Sequence, residues 1–159
     1  MNTDETLAWL RDESALRGLV MRYARACDRR DEAAFGALFL PDAVLEGPGF
    51  RFESARQIRK IPRQLERYSK TYHTLLGNQQ FEVTADLARG EIYSMAHHLT
   101  PCGDAGYCDL IMYITYLDQY RRRTGEWRFA RRCVVIEFTE TRIVGDVSTI
   151  DAVMQGYRT

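Results

Sequence analysis

The sequence predicts an α+β fold: a strongly curved, mostly antiparallel sheet wrapped around about three N-terminal helices to form a cone. Two observations predict it. Helical spacing of apolar residues is confined to the first part of the chain, and from residue 72 onward the period changes to two. Helices first and strands afterwards is the segregated order of α+β domains. A third observation sets the scale: 159 residues, 45% hydrophobic and 28% charged, suit one domain with one core.

From Ser14 to about Arg30, the residues Leu16, Leu19, Val20, Tyr23, Ala24 and Cys27 recur at three- and four-residue spacing. Arg17, Arg22, Arg25 and Arg29 fall mostly outside that stripe. Asp31 is placed to cap a second helix through "EAAFGALFL", because its carboxylate can accept from the first free amides. "PDA" at 41–43 ends that helix, and "VLEGPGFRF" reads as a short strand pair around Gly47–Gly49. Ser54 with Gln57 has capping-box spacing, so a third helix begins near Ala55. Pro62 kinks or divides it, and the helical stretch fades near Tyr68.

Four runs then follow, at 72–84, 87–99, 107–121 and 126–139, rich in β-branched and aromatic residues. The breaks "TADLARG", "PCGDAG" and "RRTGE" are short, so neighbours are antiparallel and form a meander. Strands of this length curl as the sheet twists, and helices on the concave side complete a cone. Residues 1–140 read as the domain. Residues 141–159 have a weaker pattern and read as a tail that caps a pocket or an interface.

Charge excludes some partners. Twenty-two basic and twenty-two acidic residues cancel, leaving no electrostatic footprint for nucleic acid or an anionic membrane surface. The start, "MNTDETLAWLRDES", is acidic and lacks the apolar core of a signal peptide, and no apolar run approaches a membrane span. Cys27, Cys102, Cys108 and Cys133 show no paired metal-ligand spacing. The expectation is a cytoplasmic protein with reduced thiols. The outer side of the sheet carries Tyr107, Tyr113 and Leu117, which predicts a homo-oligomer, either a trimer or a dimer.

The stretches "YARACDRRDEAAFGALFLPDAV", "YHTLLGNQQFEV", "EIYSMAHH" and "YLDQYRRRTGEWRFARRCVVIEF" together resemble the SnoaL-like branch of the nuclear transport factor 2-like, cystatin-like superfamily. The resemblance spans roughly residues 10 to 140. Within it, the chain is similar to scytalone dehydratases, bile-acid 7α-dehydratases and hexachlorocyclohexane dehydrochlorinases. These relatives imply His73 as a base and Asp28 as its helix-borne partner. They also imply Tyr23 as a catalytic tyrosine, His98 as a second pocket histidine and Arg132 as a pocket arginine. His73 precedes Gly77–Asn78 by a longer step than in many relatives, which an inserted residue or a bulge would reconcile.

The implied chemistry is cofactor-independent elimination of the dehydratase type, or a related isomerisation, on a small apolar cyclic, polyketide-like or steroid-like substrate. A histidine titrates near the working pH, and a carboxylate on its other nitrogen fixes the tautomer. A tyrosine hydroxyl or arginine can stabilise developing negative charge. No metal is called for, and the adjacent His97 and His98 splay to opposite faces of a strand.

Each residue also has a plainer role. His73 could be a structural histidine, and Asp28 could pair with Arg29 or Arg30. Tyr23 is centred on the apolar stripe, whereas Asp28 lies at its flank and points elsewhere. Arg132 could form a structural ion pair with Glu137 or Asp118. The alternative function is a non-catalytic binding or accessory domain, such as the small β subunit of a ring-hydroxylating oxygenase, whose cone would be filled.

Overall fold

A computed structural model of the chain describes residues 2–103 and 106–145. Helix α1 spans Thr3–Asp28, α2 Glu32–Ala37, α3 Ala55–Ile58 and α4 Ile61–Gln64, with a 3₁₀ turn at Leu65–Arg67. The strands are β1 Phe39–Gly47, β2 Phe50–Phe52, β3 Lys70–Thr84, β4 Leu87–Pro101, β5 Tyr107–Arg123 and β6 Glu126–Val144. They form one curved, unclosed sheet in the order β2-β1-β6-β5-β4-β3. The long strands β3 to β6 are an antiparallel meander, and β1 joins β6 in parallel. The α+β cone is the observed architecture. No helix among the described residues is long and apolar enough to cross a membrane.

Helix α1 begins well before Ser14. Asn2 accepts from the Glu5 amide while Glu5 accepts from the Asn2 amide, a capping box that holds the first turn in place of apolar burial. Leu7, Trp9 and Leu10 on this early part stay exposed, so the apolar stripe does not reach it. Helix α2 ends at Ala37 rather than Leu40. Phe39 and Leu40 are buried, Phe39 pairs with Phe129, and the Phe129 amide donates to the Leu38 carbonyl at 2.9 Å. Strand pairing there overrides the helical pattern. Pro41 falls where the β1–β6 register shifts, so its missing N–H interrupts nothing. Pro62 sits in the first turn of α4, and the third helix is divided.

Strand β6 runs to Val144, so the first residues of the expected tail at 141 belong to the sheet, paired with β5. The remainder, 146–159, lies outside the described residues.

Period two puts alternate residues on opposite faces. On β4, Ala88, Ile92, Ser94, Ala96 and His98 are buried on the concave, helix-facing side. Leu16, Leu19, Val20, Tyr23 and Cys27 of α1 meet that side in one core with Tyr116, Tyr120 and Phe129. Gly90 belongs to the same face: a Cβ there would lie 2.9 Å from the Tyr120 ring. The convex side carries Tyr72 and Leu117, both about half exposed, and the Tyr113–Phe138 stack.

Candidate active site

Asp28 is the last residue of α1, and the turn that follows aims its side chain. The Asp31 amide bonds to the Ala26 carbonyl and the Arg30 amide to the Cys27 carbonyl, both at 3.0 Å. This is the Schellman pattern of a helix terminus, with Arg30 in the left-handed conformation at φ 56°. A carboxylate at the negative end of a helix dipole is disfavoured unless donors meet it. Here they come from β3. The His73 amide donates to both Asp28 oxygens at 3.1 Å, and His73 Nδ1 lies 2.7 Å from Asp28 Oδ1.

A carboxylate only accepts, so the 2.7 Å bond places a hydrogen on Nδ1, and in the neutral ring Nε2 then carries the lone pair. The His73 side chain is 8% exposed and that of Asp28 23%, so the pair is sheltered but not sealed.

β3 reaches this geometry through an irregularity in its own length. His73 pairs with Ala96 and Leu75 with Ser94, but the next partner of β4, Ile92, meets Gln79. Three residues of β3, 76–78, oppose one of β4, and this bulge holds Gly77–Asn78. The long step between His73 and Gly77–Asn78 is taken up there. His73 keeps the concave phase, beside Thr71 and Leu75.

His98 is on the same face, its ring 6.3 Å from that of His73 and 4.6 Å from that of Tyr68. Burial, and then the neighbouring His73, lower its pKa below the ordinary value. Thr71 pairs across the strands with His98. Among the described residues, Thr71 Oγ1 and His98 Nδ1 meet no hydrogen-bond partner. Buried polar atoms left in this state cost free energy until a ligand or water meets them.

Tyr23 and Arg132 come together, but in a second cluster deeper in the cone. Arg132 is fully buried, with Nε 2.8 Å from Asp118 Oδ1 and Nη2 2.6 Å from Asp118 Oδ2. The guanidinium carbon sits 4.1 Å from the Tyr23 and Tyr116 ring centres and 4.4 Å from that of Phe129. Burial by itself would lower the Arg132 pKa, but Asp118, Tyr23 and Tyr120 outweigh it and hold the guanidinium charged. Burial pushes the Tyr23 hydroxyl up well above its usual value, so it keeps its proton. The Tyr120 hydroxyl donates to Asp118 at 2.6 Å. Asp118 is one of the two acids the sequence offered as a structural partner for Arg132. Tyr23 and Asp28, which the helical wheel separates, do diverge.

From the sequence, Thr71 was not singled out, and Arg30 only as an ion-pair partner for Asp28. Thr71 could have been, since it alternates with His73 onto one face. Arg30 turns to the Tyr68 carbonyl, 2.6 Å from its Nη2, and no local pattern signals that contact.

Among the described residues, no three histidine, cysteine or acidic side chains converge to hold a metal. A surface cleft of about 870 Å³ separates α1 and α2 from the β5–β6 hairpin. It is lined by Arg22, Arg25, Arg29, Trp127 and Arg128 but contains no histidine, so the hydrogen-bonded base makes the His73 end the better candidate.

The curved, unclosed sheet and its N-terminal helices place the chain among small α+β cone proteins. Residues 8–133 match the SnoaL-like domain model, and the chain belongs to that family. No match is found among curated proteins. Solved structures share the fold. A protein of Novosphingobium aromaticivorans, provisionally assigned as a scytalone dehydratase, is 22% identical with a TM-score of 0.73, covering 92% of this chain and 97% of its own. The type-3 hexachlorocyclohexane dehydrochlorinase of Novosphingobium barchaimii is 18% identical with a TM-score of 0.74, covering 86% and 94%. A second N. aromaticivorans protein, provisionally an aromatic ring hydroxylase, is 20% identical with a TM-score of 0.72, covering 84% and 94%.

Proposed function

We propose that this protein is a cofactor-independent lyase of the dehydratase type, in which His73 is the base and Asp28 its orienting carboxylate. The observation that carries the reading is the 2.7 Å Nδ1–Oδ1 bond on the concave face, with the His73 amide bound to the same carboxylate. Nε2 takes a proton from a carbon made acidic by a neighbouring carbonyl. The electron pair forms the new double bond, and the hydroxyl of the adjacent carbon leaves as water by taking the proton back from the His73 imidazolium. Asp28 stabilises the imidazolium as it forms.

Thr71 Oγ1 and His98 Nδ1 favour an oxygenated substrate over a halogenated hydrocarbon, because oxygen groups would meet their open hydrogen-bonding capacity. The surrounding Ala96, Met112 and Leu110, which neighbour His73 and His98 across the ladder, suit an otherwise apolar ring. The same base would serve an isomerisation if the proton returned to another carbon.

The filled inner cone, where Tyr23, Tyr116 and Phe129 surround Arg132, favours the second reading of a non-catalytic accessory domain. One experiment separates them. Cyclic ketones, hydroxylated polyketides and steroids are screened by thermal shift, and the stabilising compounds are incubated in deuterated water. The lyase reading expects loss of water or solvent exchange at one carbon, abolished in His73→Ala. Exchange that persisted undiminished in that variant would remove His73 as the base. Binding without any exchange or turnover would favour the accessory domain.

A further inference from the structure

We propose that Arg30 is a positioning residue for the His73–Asp28 pair, holding the end of α1 and the start of β3 at the separation their hydrogen bonds require. The inference rests on the reading of His73 and Asp28 as the working pair.

Arg30 occupies a position where its own backbone is at a disadvantage. At φ 56° it sits in the left-handed region that glycine, or asparagine, adopts at helix ends with less strain. A bulky residue persists in that conformation when the surroundings over-determine it. The surroundings here are three carbonyls on another segment. Nη2 of Arg30 donates to the Tyr68 carbonyl at 2.6 Å, with the Leu65 and Ser69 carbonyls at 3.4 and 3.5 Å.

These carbonyls belong to the first residue of the 3₁₀ turn, Leu65, and to the two residues that lead into β3. The Ser69 amide is already bound to the Leu99 carbonyl at 2.8 Å, so the lead-in is tied to the sheet on one side and to Arg30 on the other. Arg30 is two residues beyond Asp28, and Tyr68 is five residues before His73. One guanidinium therefore spans the same junction that the pair spans, one turn away. It also fixes the backbone of Tyr68, whose ring lies against His98.

A cap with no role beyond the helix end would be served better by glycine. The two roles make opposite predictions for Arg30→Gly and Arg30→Asn, which suit the left-handed backbone but cannot reach Tyr68. The test compares their thermal unfolding with nitrogen-15 NMR of the His73 ring and hydrogen exchange at the His73 amide. Positioning predicts a melting temperature equal to or above that of the parent. Over the same comparison, the ring changes from a single Nδ1–H tautomer to a mixture and the amide exchanges at least about tenfold faster. Arg30→Lys, with one donor able to reach the Tyr68 carbonyl, restores part of both signals.

A His73 ring and amide indistinguishable from the parent in Arg30→Gly would overturn the proposal. Loss of folding in both Arg30→Gly and Arg30→Asn would overturn it too, leaving Arg30 a structural clamp. Asp28→Asn separates this inference from the reading beneath it. If Asp28→Asn left the ring tautomer unchanged, the His73–Asp28 pair itself would fall. If it abolished the Nδ1–H signature while Arg30→Gly did nothing, only the role of Arg30 would.

Discussion

Among the described residues, the sheet carries two histidine–aspartate pairs, one on each face. On the concave side, His73 Nδ1 is 2.7 Å from Asp28, and on the convex side His97 Nδ1 is 2.9 Å from Asp109. They are close in the structure, since Tyr72, beside His73, pairs with His97. By bond length the two are equivalent, and what differs is the company they keep. Asp28 comes from a helix end and is also held by the His73 amide, and the ring shares its face with His98 and Ala96. Asp109 lies on the neighbouring strand of the same sheet and is shared with Arg142 at 3.6 Å. A hydrogen-bonded histidine is thus a common product of strand alternation. The candidate for catalysis is the one whose carboxylate comes from a helix end and also holds a backbone amide, and whose ring shares the concave face with His98 and Ala96.

The sharpest way to break this comparison is to remove each ring. His73→Ala should lower turnover of a substrate found in the screen by roughly 10²–10⁴-fold, the usual contribution of a positioned base. His97→Ala should leave it close to the parent rate. Steady-state kinetics on both variants decides, and equal losses would erase the distinction between the faces.

A second contrast concerns adjacent arginines. Arg132 is buried against Asp118, whereas Arg131 pairs with Glu46 at the surface. Arg132→Met strands a buried carboxylate and should cost about 3–5 kcal/mol in urea unfolding. Arg131→Ala should cost about 0–1 kcal/mol.

Smaller again is Gly90→Ala. Its Cβ would press on the Tyr120 ring, so a loss of about 1–3 kcal/mol is expected by the same measurement. Arg89→Ala, on the other face, should be nearly silent.

The smallest effect is a pH dependence. Burial and the neighbouring His73, with a lesser contribution from Arg67, lower the His98 pKa below the usual 6.5, against partial support from the Leu110 and Ala96 carbonyls. The unfolded chain therefore binds more protons at this site. The corresponding stability is fully present above about pH 6.5 and is lost as the pH falls through the folded value. His98→Gln should flatten the difference between urea midpoints at about pH 5 and pH 7.5. A slope unchanged in that variant would assign the dependence to other groups.

Much of this arrangement was legible in the sequence wherever one period governs a segment. Alternation identified the four long strands and separated His97 from His98, and three- and four-residue spacing put Tyr23 in the core. The start of α1 was missed because it rests on a two-residue cap rather than an apolar stripe. The end of α2 was misplaced because Phe39 and Leu40 fit a helix as well as a strand until Phe129 is there to pair with. The direction of Asp28 depends on a left-handed turn at Arg30, a residue type that gives no hint of one. Asp28 and His73 are far apart in sequence, and the resemblance to known enzymes, rather than any local pattern, suggested their meeting.

The bulge in β3 also bears on how the chain tolerates insertions and deletions. Between Leu75 and Gln79 the strand takes four steps where its neighbour takes two, an excess of two residues. Because the excess is even, Phe81 and Val83 beyond it remain in phase with His73 and Leu75 before it. Removal of Gly77 alone would rotate one half of the strand inside out, bringing His73 into the open or Phe81 out of the core. Removal of a pair would keep both halves facing inward. The open space around Gly77 gives such a change room. A change of two residues in this strand should therefore keep His73 facing the cone, where a change of one should not.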